Sequence, residues 1–504
     1  MHDLVRDLAT FLGGEFYSRR EEVCNETKIG TMTRHLSFSK FNDPVHEKCD
    51  VFGRAKHLRT LFAINFISPP PFNNEKIACT ILSNLKCLRV LSLRNFRGLV
   101  EVPDSIDELI HLHYLNLTWT HIKSLPESLC NLYNLQTLKL QNCMSLTRLP
   151  NDMQNLVSLC HLDISGCYEL EVTPREMSKL IHLQHLSNYD VGTHKDNGIK
   201  ELGTLSNLHG SLSIKKLENV INSSEASAAK IMDKKYLEKL CLSWSEDVKD
   251  HFTNSQSEMD ILDKLQPTKN LKRLEVHGYR GTRFPKWVGD SSYQNLTGLY
   301  LFGCPNCCIL PQLGRLHSLK DLAIRRMSML ETIGYEYGDS SSRTLFPSLE
   351  YLEFNDMPCW KMWHHSRVSE DSFPVLKSLV ILDCPKLEGD LPSHLPVLET
   401  IKIERCNQLG SSLPKASSIR KLCITESNKV VVHELPLSLE ELRIHGREVT
   451  NSAFEAIDIT LLTSLQTFDI NDSSSVISFM GDCLPTSLKF MSKEKPPTQV
   501  TSHF

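Results

Sequence analysis

The sequence has no run of apolar residues long enough to cross a bilayer, which argues against a membrane-spanning protein. We also expect no signal peptide, since His2 and Asp3 precede any apolar run. Excess charge is also absent: 56 basic and 60 acidic residues give a net charge of −4. We therefore expect no nucleic-acid partner and no membrane span. We expect a cytoplasmic location, with the nucleus and the plasma-membrane surface as further compartments.

Paired cysteines are lacking as well. The 17 cysteines are odd in number and scattered singly, whereas disulfide-capped extracellular domains would pair them at the ends. We expect reduced thiols. The nearest approach to a metal motif is Cys304-x-x-Cys307-Cys308, but no second Cys/His pair stands at finger spacing, so no metal site is predicted. The sequence shows no catalytic constellation, and the chain is not expected to be an enzyme.

A leucine phrase organises the middle of the chain. It starts at Leu85 as Leu-x-x-Leu-x-x-Leu-x-Leu and returns at intervals of 24, 23, 24 and 24 residues, at Leu109, Leu132, Leu156 and Leu180. This period is typical of leucine-rich repeats. The final Leu-x-Leu has period two, so both leucines face one side of a short strand. The pattern predicts an α/β leucine-rich-repeat solenoid, a curved horseshoe with a parallel sheet on its concave face and short helices and loops on its convex face.

A small residue closes each strand phrase, at the place where leucine-rich repeats have Asn or Cys. A hydroxyl or thiol there can bond the backbone of the turn that ends the strand. The closing residues are Thr120, Cys143, Cys167, Cys304, Cys384 and Cys406. Buried cysteines at this position behave as small apolar side chains.

Several segments resemble plant disease resistance proteins of the coiled-coil, nucleotide-binding and leucine-rich-repeat class. Met1-His2-Asp3-Leu4 resembles the motif near the end of their nucleotide-binding (NB-ARC) module. Thr33–Phe38, Lys56–Leu61 and Leu208–Ile214 resemble their repeats. The resemblance covers essentially the whole chain and implies a plant innate-immunity function. The chain lacks a phosphate-binding Gly-x-x-x-x-Gly-Lys-Ser/Thr loop, so we expect a truncated product, a partial gene model or a truncated paralogue that corresponds to the C-terminal repeat part of such a receptor.

The resemblance also implies cofactor and partners. His2, with Met1 and Asp3 beside it, would sense the state of bound ADP in a full-length family member. ADP or ATP belongs to that whole receptor, and no cofactor is expected in this chain. One implied partner is a protein ligand, either a pathogen effector or a guarded host protein. The others are the upstream nucleotide-binding and coiled-coil modules. The repeats would restrain the nucleotide-binding module.

The resemblance and the repeat pattern together predict five segments. Residues 1–23 would be a remnant of the winged-helix subdomain, with a helix ending at Gly13-Gly14. Degenerate repeats are expected over 24–84, regular repeats over 85–204, irregular repeats with insertions over 205–492, and a frayed tail over 493–504. Within the irregular part we expect a helix after Asn222, a polar loop over 245–258, and insertions at 338–343 and 360–372.

Residues between the buried leucines are predicted to face solvent on the concave side and to bind the partner. In the regular block these are Arg89, Ser92, Arg94, Tyr114, Asn116, Thr118, Trp119, Thr137, Lys139, Gln141, His161 and Asp163. Further along they are Arg273, Glu275, His277, Tyr279, Asp321, Arg325, Arg326, Lys402, Glu404 and Arg405. Trp119, with Tyr114 and Arg94, is predicted to be the main contact because aromatic and Arg residues dominate binding hot spots.

Two other functions fit a leucine-rich-repeat protein. The ectodomain of a cell-surface receptor would favour Gly before Ile-Pro in each unit, whereas these units read Glu101-Val102-Pro103 and Ser124-Leu125-Pro126. A substrate adaptor of a ubiquitin ligase would need an F-box-like segment, for which about 23 non-repeat residues are too few. Both remain alternatives to the immune-receptor interpretation.

Overall fold

The computed structural model describes residues 13–23, 29–41, 55–64, 81–171, 173–245, 255–334, 345–364, 372–414, 416–446, 448–450, 453, 461–471 and 485–492. The chain divides into two compact units, residues 1–240 and 241–504. Among the described residues, no helix combines the length and apolar character needed to cross a membrane. Met1, His2 and Asp3 lie outside the described part, as do the predicted N-terminal helix up to residue 12 and the C-terminal tail.

The first unit contains a parallel sheet of eight strands that follow one another in chain order. These are β1 (Tyr17–Val23), β2 (His35–Phe41), β3 (Thr60–Ala63), β4 (Val90–Ser92), β5 (Tyr114–Asn116), β6 (Thr137–Lys139), β7 (His161–Asp163) and β8 (His185–Leu186). A further parallel pair follows, β9 (Asn188–Asp190) and β10 (His209–Lys215). Strand β11 (Tyr236–Ser243) contains the boundary between the units. The sheet begins earlier than the sequence suggests, because β1 occupies residues assigned to the non-repeat segment.

The leucine phrase builds the core of this unit as predicted. Leu85, Leu88, Leu91 and Leu93 are all buried, and Leu115 lies in register between Leu91 and Leu138. Each strand in the regular block has at most three residues, so its apolar face is covered by its neighbours rather than by its own repeat.

The segments between strands form short 3-10 helices. Pro103 and Pro126 stand immediately before two of them, where a missing N–H costs nothing. In the first unit these helices are Gly14–Phe16, Asp104–Glu108, Glu127–Asn131, Met153–Asn155, Met177–Lys179, Ile199–Thr204, Leu217–Asn219 and Ile231–Asp233. The predicted alanine-rich helix is α1 (Ser223–Ala228), and its Asn222 cap accepts the Glu225 N–H at 3.0 Å.

The closing residues act as predicted. Thr120 Oγ1 and Cys143 Sγ both donate to the Leu117 carbonyl, at 2.8 and 3.1 Å, and Cys167 Sγ donates to the Leu140 carbonyl at 3.1 Å. All three side chains are buried. Burial raises the pKa of the Cys167 thiol to about 12, which keeps it protonated. The cysteines of the described part, including Cys304, Cys384 and Cys406, are free thiols.

The second unit contains a longer parallel sheet and a separate pair of short strands. The sheet comprises β12 (Arg273–His277), β13 (Gly298–Phe302), β14 (Asp321–Arg325), β16 (Tyr351–Asn355), β18 (Ser378–Leu382), β19 (Thr400–Glu404), β20 (Lys421–Thr425), β21 (Glu441–His445), β22 (Thr467–Asn471) and β23 (Phe490–Ser492). The pair consists of β15 (Thr332–Ile333) and β17 (Met362–Trp363). Short 3-10 helices span Lys286–Gly289 and Leu313–Arg315.

Two predictions for the second unit need correction. The expected loop over 245–258 is partly helical, because α2 runs from Ser255 to Lys264. The expected insertion from residue 360 begins as ordered core: Trp360 is fully buried, and Trp363 packs on Phe354 with ring centres 5.3 Å apart. Residues 246–254, 335–344 and 365–371, which hold the rest of these predicted loops, lie outside the described part.

Most of these strands are followed, within three residues, by one residue of left-handed backbone conformation. Trp119 has a φ of 61° and Arg326 a φ of 58°. Their N–H groups donate to the next repeat, at 2.9 Å to the Gln141 carbonyl and at 2.8 Å to the Asn355 carbonyl. The same conformation recurs at Asn95, Asn142, Gly166, Lys216, Gly278, Gly303, Asp356, Asp383, Arg405 and Glu426. We call this set the left-handed row.

The register predicts opposite outcomes for two neighbouring residues of β6. Leu138→Ala removes a fully buried side chain and should lower the free energy of unfolding by about 2–5 kcal/mol. Lys139→Gln keeps most of the side-chain volume on the solvent side and should change it by less than about 0.5 kcal/mol. Chemical denaturation monitored by circular dichroism measures both. Equal losses would show that the strand register is wrong.

Candidate recognition surface

Alternate strand positions form what we call the open face of each sheet, the side away from the leucine core. In the first unit, Tyr114, Thr137, His161 and His185 lie in register on four neighbouring strands. Lys139 lies between Asn116 and Asp163 in the adjacent column. The Lys139 ammonium is 6.0 Å from the centre of the Tyr114 ring. The structure therefore brings together the predicted residues Tyr114, Thr137, Lys139, His161 and Asp163.

Three predicted contact residues are not available at this face. Ser92, Asn116 and Thr118 are buried, contrary to the expectation that they face solvent. The Asn116 amide oxygen accepts the Thr118 backbone N–H at 2.9 Å, and its nitrogen donates to the Tyr114 hydroxyl at 3.3 Å. The side chain is therefore used to hold the turn that follows β5.

The predicted patch of Trp119, Tyr114 and Arg94 is not one patch. Trp119 is 36% exposed but belongs to the left-handed row beyond the end of β5. Tyr114 stands at the start of that strand, on the order of 15 Å away along an extended chain. Arg94 and Gln141 are exposed and precede left-handed residues of their own repeats. Trp119 thus marks one edge of the open face and Tyr114 the other.

A stack of rings continues the Tyr114 column. The His161 and His185 rings are 4.6 Å apart and nearly parallel, His185 and His209 are 5.9 Å apart, and His209 and Tyr236 are 4.4 Å apart. Burial lowers the pKa of His161, and the positive charge that His185 and Lys139 carry adds to this effect. Burial likewise lowers the pKa of His185, with a contribution from His209. We call these four residues the histidine stack.

In the second unit, Arg273, Glu275 and His277 point to the open face of β12, as predicted. Arg273 Nε donates to Glu275 Oε1 at 2.6 Å, and His277 Nε2 lies 3.4 Å from Glu275 Oε2. Hydrogen bonds from His277 and Arg273 lower the pKa of Glu275 to about 2. Hydrogen bonds to Cys241 and Glu275 raise the pKa of His277 to about 9. Tyr279 was predicted to join them but is fully buried, and its hydroxyl donates to the Arg283 carbonyl at 2.8 Å.

On β14, the predicted residue Arg325 is held by a carboxylate of the same chain, Glu353, which the sequence did not predict. Arg325 Nη2 donates to Glu353 Oε2 at 2.6 Å, and the Tyr351 hydroxyl donates to the same oxygen at 2.7 Å. Glu353 is buried despite its charge. Asp321 is half-buried, and Arg326 is exposed over the Phe302 ring at 5.4 Å. A buried carboxylate opposite an arginine fixes the position of that arginine.

A depression of about 460 Å³ lies on the open face of β19 to β22. Lys402 Nζ is 3.0 Å from Glu404 Oε1, and His445 Nε2 is 3.4 Å from Asp469 Oδ1. Arg405 at its margin donates to Asp383 at 2.7 Å. Lys402, Glu404 and Arg405 were predicted from the sequence, whereas Cys423, Arg443, His445 and Asp469 were missed. Their alternation in strands Lys421–Thr425, Glu441–His445 and Thr467–Asn471 was the signal available.

Parallel strands with buried leucines, stacked one repeat after another, define the class of protein as a leucine-rich-repeat solenoid. The family model for R13L1/DRL21 leucine-rich repeats matches residues 199–327. The chain is 41% and 40% identical to two candidate disease resistance proteins of Arabidopsis thaliana, At3g14460 and RPP13-like protein 1, over 418 and 428 residues. It is 33% identical over 451 residues to the disease resistance protein RGA2 of Solanum bulbocastanum. The chain is a leucine-rich-repeat protein that is similar in sequence to plant disease resistance proteins.

These alignments cover 81%, 81% and 87% of the chain but only 29%, 40% and 42% of the respective relatives. The chain therefore spans between a quarter and a half of the length of the relatives it matches. Among solved structures, a leucine-rich-repeat protein of Leptospira interrogans aligns at 20% identity with a TM-score of 0.44, covering 87% of this chain and 86% of that one. The plant peptide hormone receptor RGFR1 in complex with RGF2 aligns at 15% identity and a TM-score of 0.44, covering 95% and 80%.

His161 and His185 of the histidine stack make stability depend on pH. Their folded-state pKa values are lowered, so between the unfolded-state pKa of about 6.5 and the folded values the unfolded chain binds more protons. Stability should therefore fall as the pH decreases below about 6.5. The melting temperature of His185→Gln should fall less between pH 7.5 and pH 5.5 than that of the wild type. His182→Gln, an exposed histidine outside the stack, is the matched control. Identical pH dependence in all three proteins would contradict this assignment.

Proposed function

We propose that the chain is the recognition part of an intracellular plant immune receptor, and that the open face of its first unit binds a protein ligand. The ligand is a pathogen effector or a host protein that such an effector modifies. The observation that carries the proposal is the unbroken register of polar and aromatic side chains from Tyr114 through Thr137 and His161 to His185. The sequence relationship to disease resistance proteins supports the biological setting.

The composition of this face suits protein recognition. Tyr114 offers an amphipathic ring with few rotatable bonds, and Lys139 and Asp163 offer opposite charges on neighbouring strands. Trp119 and Arg94 at the margin add a large ring and a guanidinium. Arg273, Asp321, Arg325 and Arg326 supply a second set of contacts in the other unit. A cytoplasmic site of action and the absence of enzymatic activity are parts of the same proposal.

The second half of the proposal concerns restraint of a nucleotide-binding module, as implied by the family resemblance. Arg34, Arg59 and Arg89 occupy equivalent positions before β2, β3 and β4, linked by Arg59 N–H to the Arg34 carbonyl and Arg89 N–H to the Arg59 carbonyl, both at 2.7 Å. Arg59 and Arg89 are exposed. This column of three cations offers an acidic partner a continuous basic edge.

Ligand recognition can be tested by affinity capture from pathogen-challenged leaf extract. The tagged full chain should retain a protein that the double variant Tyr114→Ala/Lys139→Glu loses. Tyr133→Ala is the matched control, since Tyr133 is 59% exposed but lies outside the strands. Circular dichroism checks that all variants are folded. If the double variant and the control retain the same proteins, the open face of the first unit is not the recognition surface.

Restraint can be tested by co-expressing the chain with a nucleotide-binding module of the family as a separate polypeptide. The full chain should co-purify with the module and slow its release of ADP. Arg59→Glu/Arg89→Glu should weaken the complex by at least about tenfold, because two attractive contacts become repulsive. Arg97→Glu, another exposed arginine of the same unit, should have little effect. If both variants weakened the complex equally, the effect would come from net charge and not from the column of Arg34, Arg59 and Arg89.

A further inference from the structure

Three side chains of different donor chemistry meet on the open face at the start of the second unit. Cys241 comes from the last residues of β11, and Glu275 and His277 come from β12. The two segments run side by side, since the Trp244 N–H donates to the His277 carbonyl at 2.9 Å. All three side chains are half-buried, so they are partly shielded from solvent without being enclosed.

The donor atoms are close enough for one ion. One donor atom from each residue lies within 4.8 Å of the others, and His277 Nε2 is 3.4 Å from Glu275 Oε2. Ligands at about 2.0–2.3 Å from a tetrahedral zinc ion lie roughly 3.3–3.8 Å from one another. The existing imidazole–carboxylate separation already falls in that range. Within the described part of the chain, no other group of three such residues meets the same criterion.

Neighbouring side chains hold the donors in place. Arg273 Nε binds Glu275 Oε1 at 2.6 Å, which leaves Oε2 directed at His277. The Arg273 guanidinium is itself seated 3.9 Å from the centre of the Tyr300 ring. The His277 ring packs against Phe302 at 5.4 Å. Outer contacts of this kind orient the ligands of metal sites in proteins.

We propose that Cys241, Glu275 and His277 form a zinc-binding site. Thiolate, imidazole and carboxylate are the ligand types that zinc uses, and the thiolate disfavours magnesium, calcium and manganese. The Glu275 and His277 side chains are 28% and 36% exposed, so a fourth position opens to solvent and would hold water. Binding would join the segment that follows Leu240 to β12 and would fix the orientation of Glu275 and His277 on the open face.

The sequence did not reveal this site. The spacing of Cys241 from Glu275-x-His277 matches no finger motif, because the ligands belong to different repeats. The cysteines of the Cys304-x-x-Cys307-Cys308 motif are structural: Cys304 and Cys307 are buried and donate to the Phe302 and Ile309 carbonyls.

The test is metal titration of the full chain under reducing conditions, with zinc competing against a chromophoric chelator. A parallel titration uses cobalt(II), whose thiolate charge-transfer and tetrahedral visible bands report the ligand set. The wild type should bind one equivalent of metal, and Cys241→Ser should not bind it. Glu275→Gln should bind the metal with at least tenfold lower affinity. Zinc should raise the melting temperature of wild type but not of Cys241→Ser.

Cys423→Ser is the matched control. Cys423 is also half-buried on the open face and lies beside a carboxylate, with Sγ 3.6 Å from Glu404 Oε1. It should retain the wild-type stoichiometry and cobalt spectrum. A stoichiometry and affinity unchanged in both Cys241→Ser and Glu275→Gln would overturn the proposal, as would a cobalt spectrum without thiolate bands. Circular dichroism in metal-free buffer establishes that each variant is folded before titration.

Discussion

Burial of leucine side chains between neighbouring repeats is the interaction on which the rest of the structure depends. Strands such as β4 to β7 have three residues each, too few to be stable alone. Leu115 is covered because Leu91 and Leu138 stand on either side of it in register. The same registration aligns the polar residues on the opposite side of the strands. Core packing and the open face are therefore set by one repeat distance.

Period two was sufficient to assign much of this from the sequence. It placed Leu138 in the core and Lys139 on the open face, and it located the closing residues Thr120 and Cys143. It failed at Asn116 because the pattern records the direction of a side chain but not its local bonds. An Asn that accepts the N–H two residues later folds back into the turn. Residues of this kind are indistinguishable from exposed ones by spacing alone.

Some buried residues of the irregular part were not predicted, for a different reason. Trp360 and Trp363 pack on Phe354 in a stretch without leucine periodicity, so no repeat pattern marked them as core. Glu353 occupies a polar strand position, yet it is buried under Arg325 and Tyr351. Which side chains meet across neighbouring strands depends on the strand register, and here the repeats that set this register differ in length. That register is a property of the assembled sheet and is absent from any one repeat.

Opposite charges on the open face of the second unit already satisfy one another. Glu275 with Arg273, and Glu353 with Arg325, are bound before any ligand arrives. A ligand must replace these ion pairs with contacts of similar free energy. The charges on this face therefore determine which partners bind more than they raise the affinity. In the first unit, aromatic and imidazole rings dominate the corresponding column. The two open faces consequently favour different chemistry in whatever binds them.

The left-handed row carries an evolutionary consequence. Its non-glycine members display their side chains next to the end of a strand, yet a left-handed backbone costs an ordinary residue about 1–2 kcal/mol. Val, Ile and Thr, which branch at Cβ, are excluded most strongly. Diversification at these positions must therefore draw on a reduced alphabet of Gly, Asn, Asp and unbranched side chains. A surface under pressure to vary would change freely along its strands and conservatively along this edge.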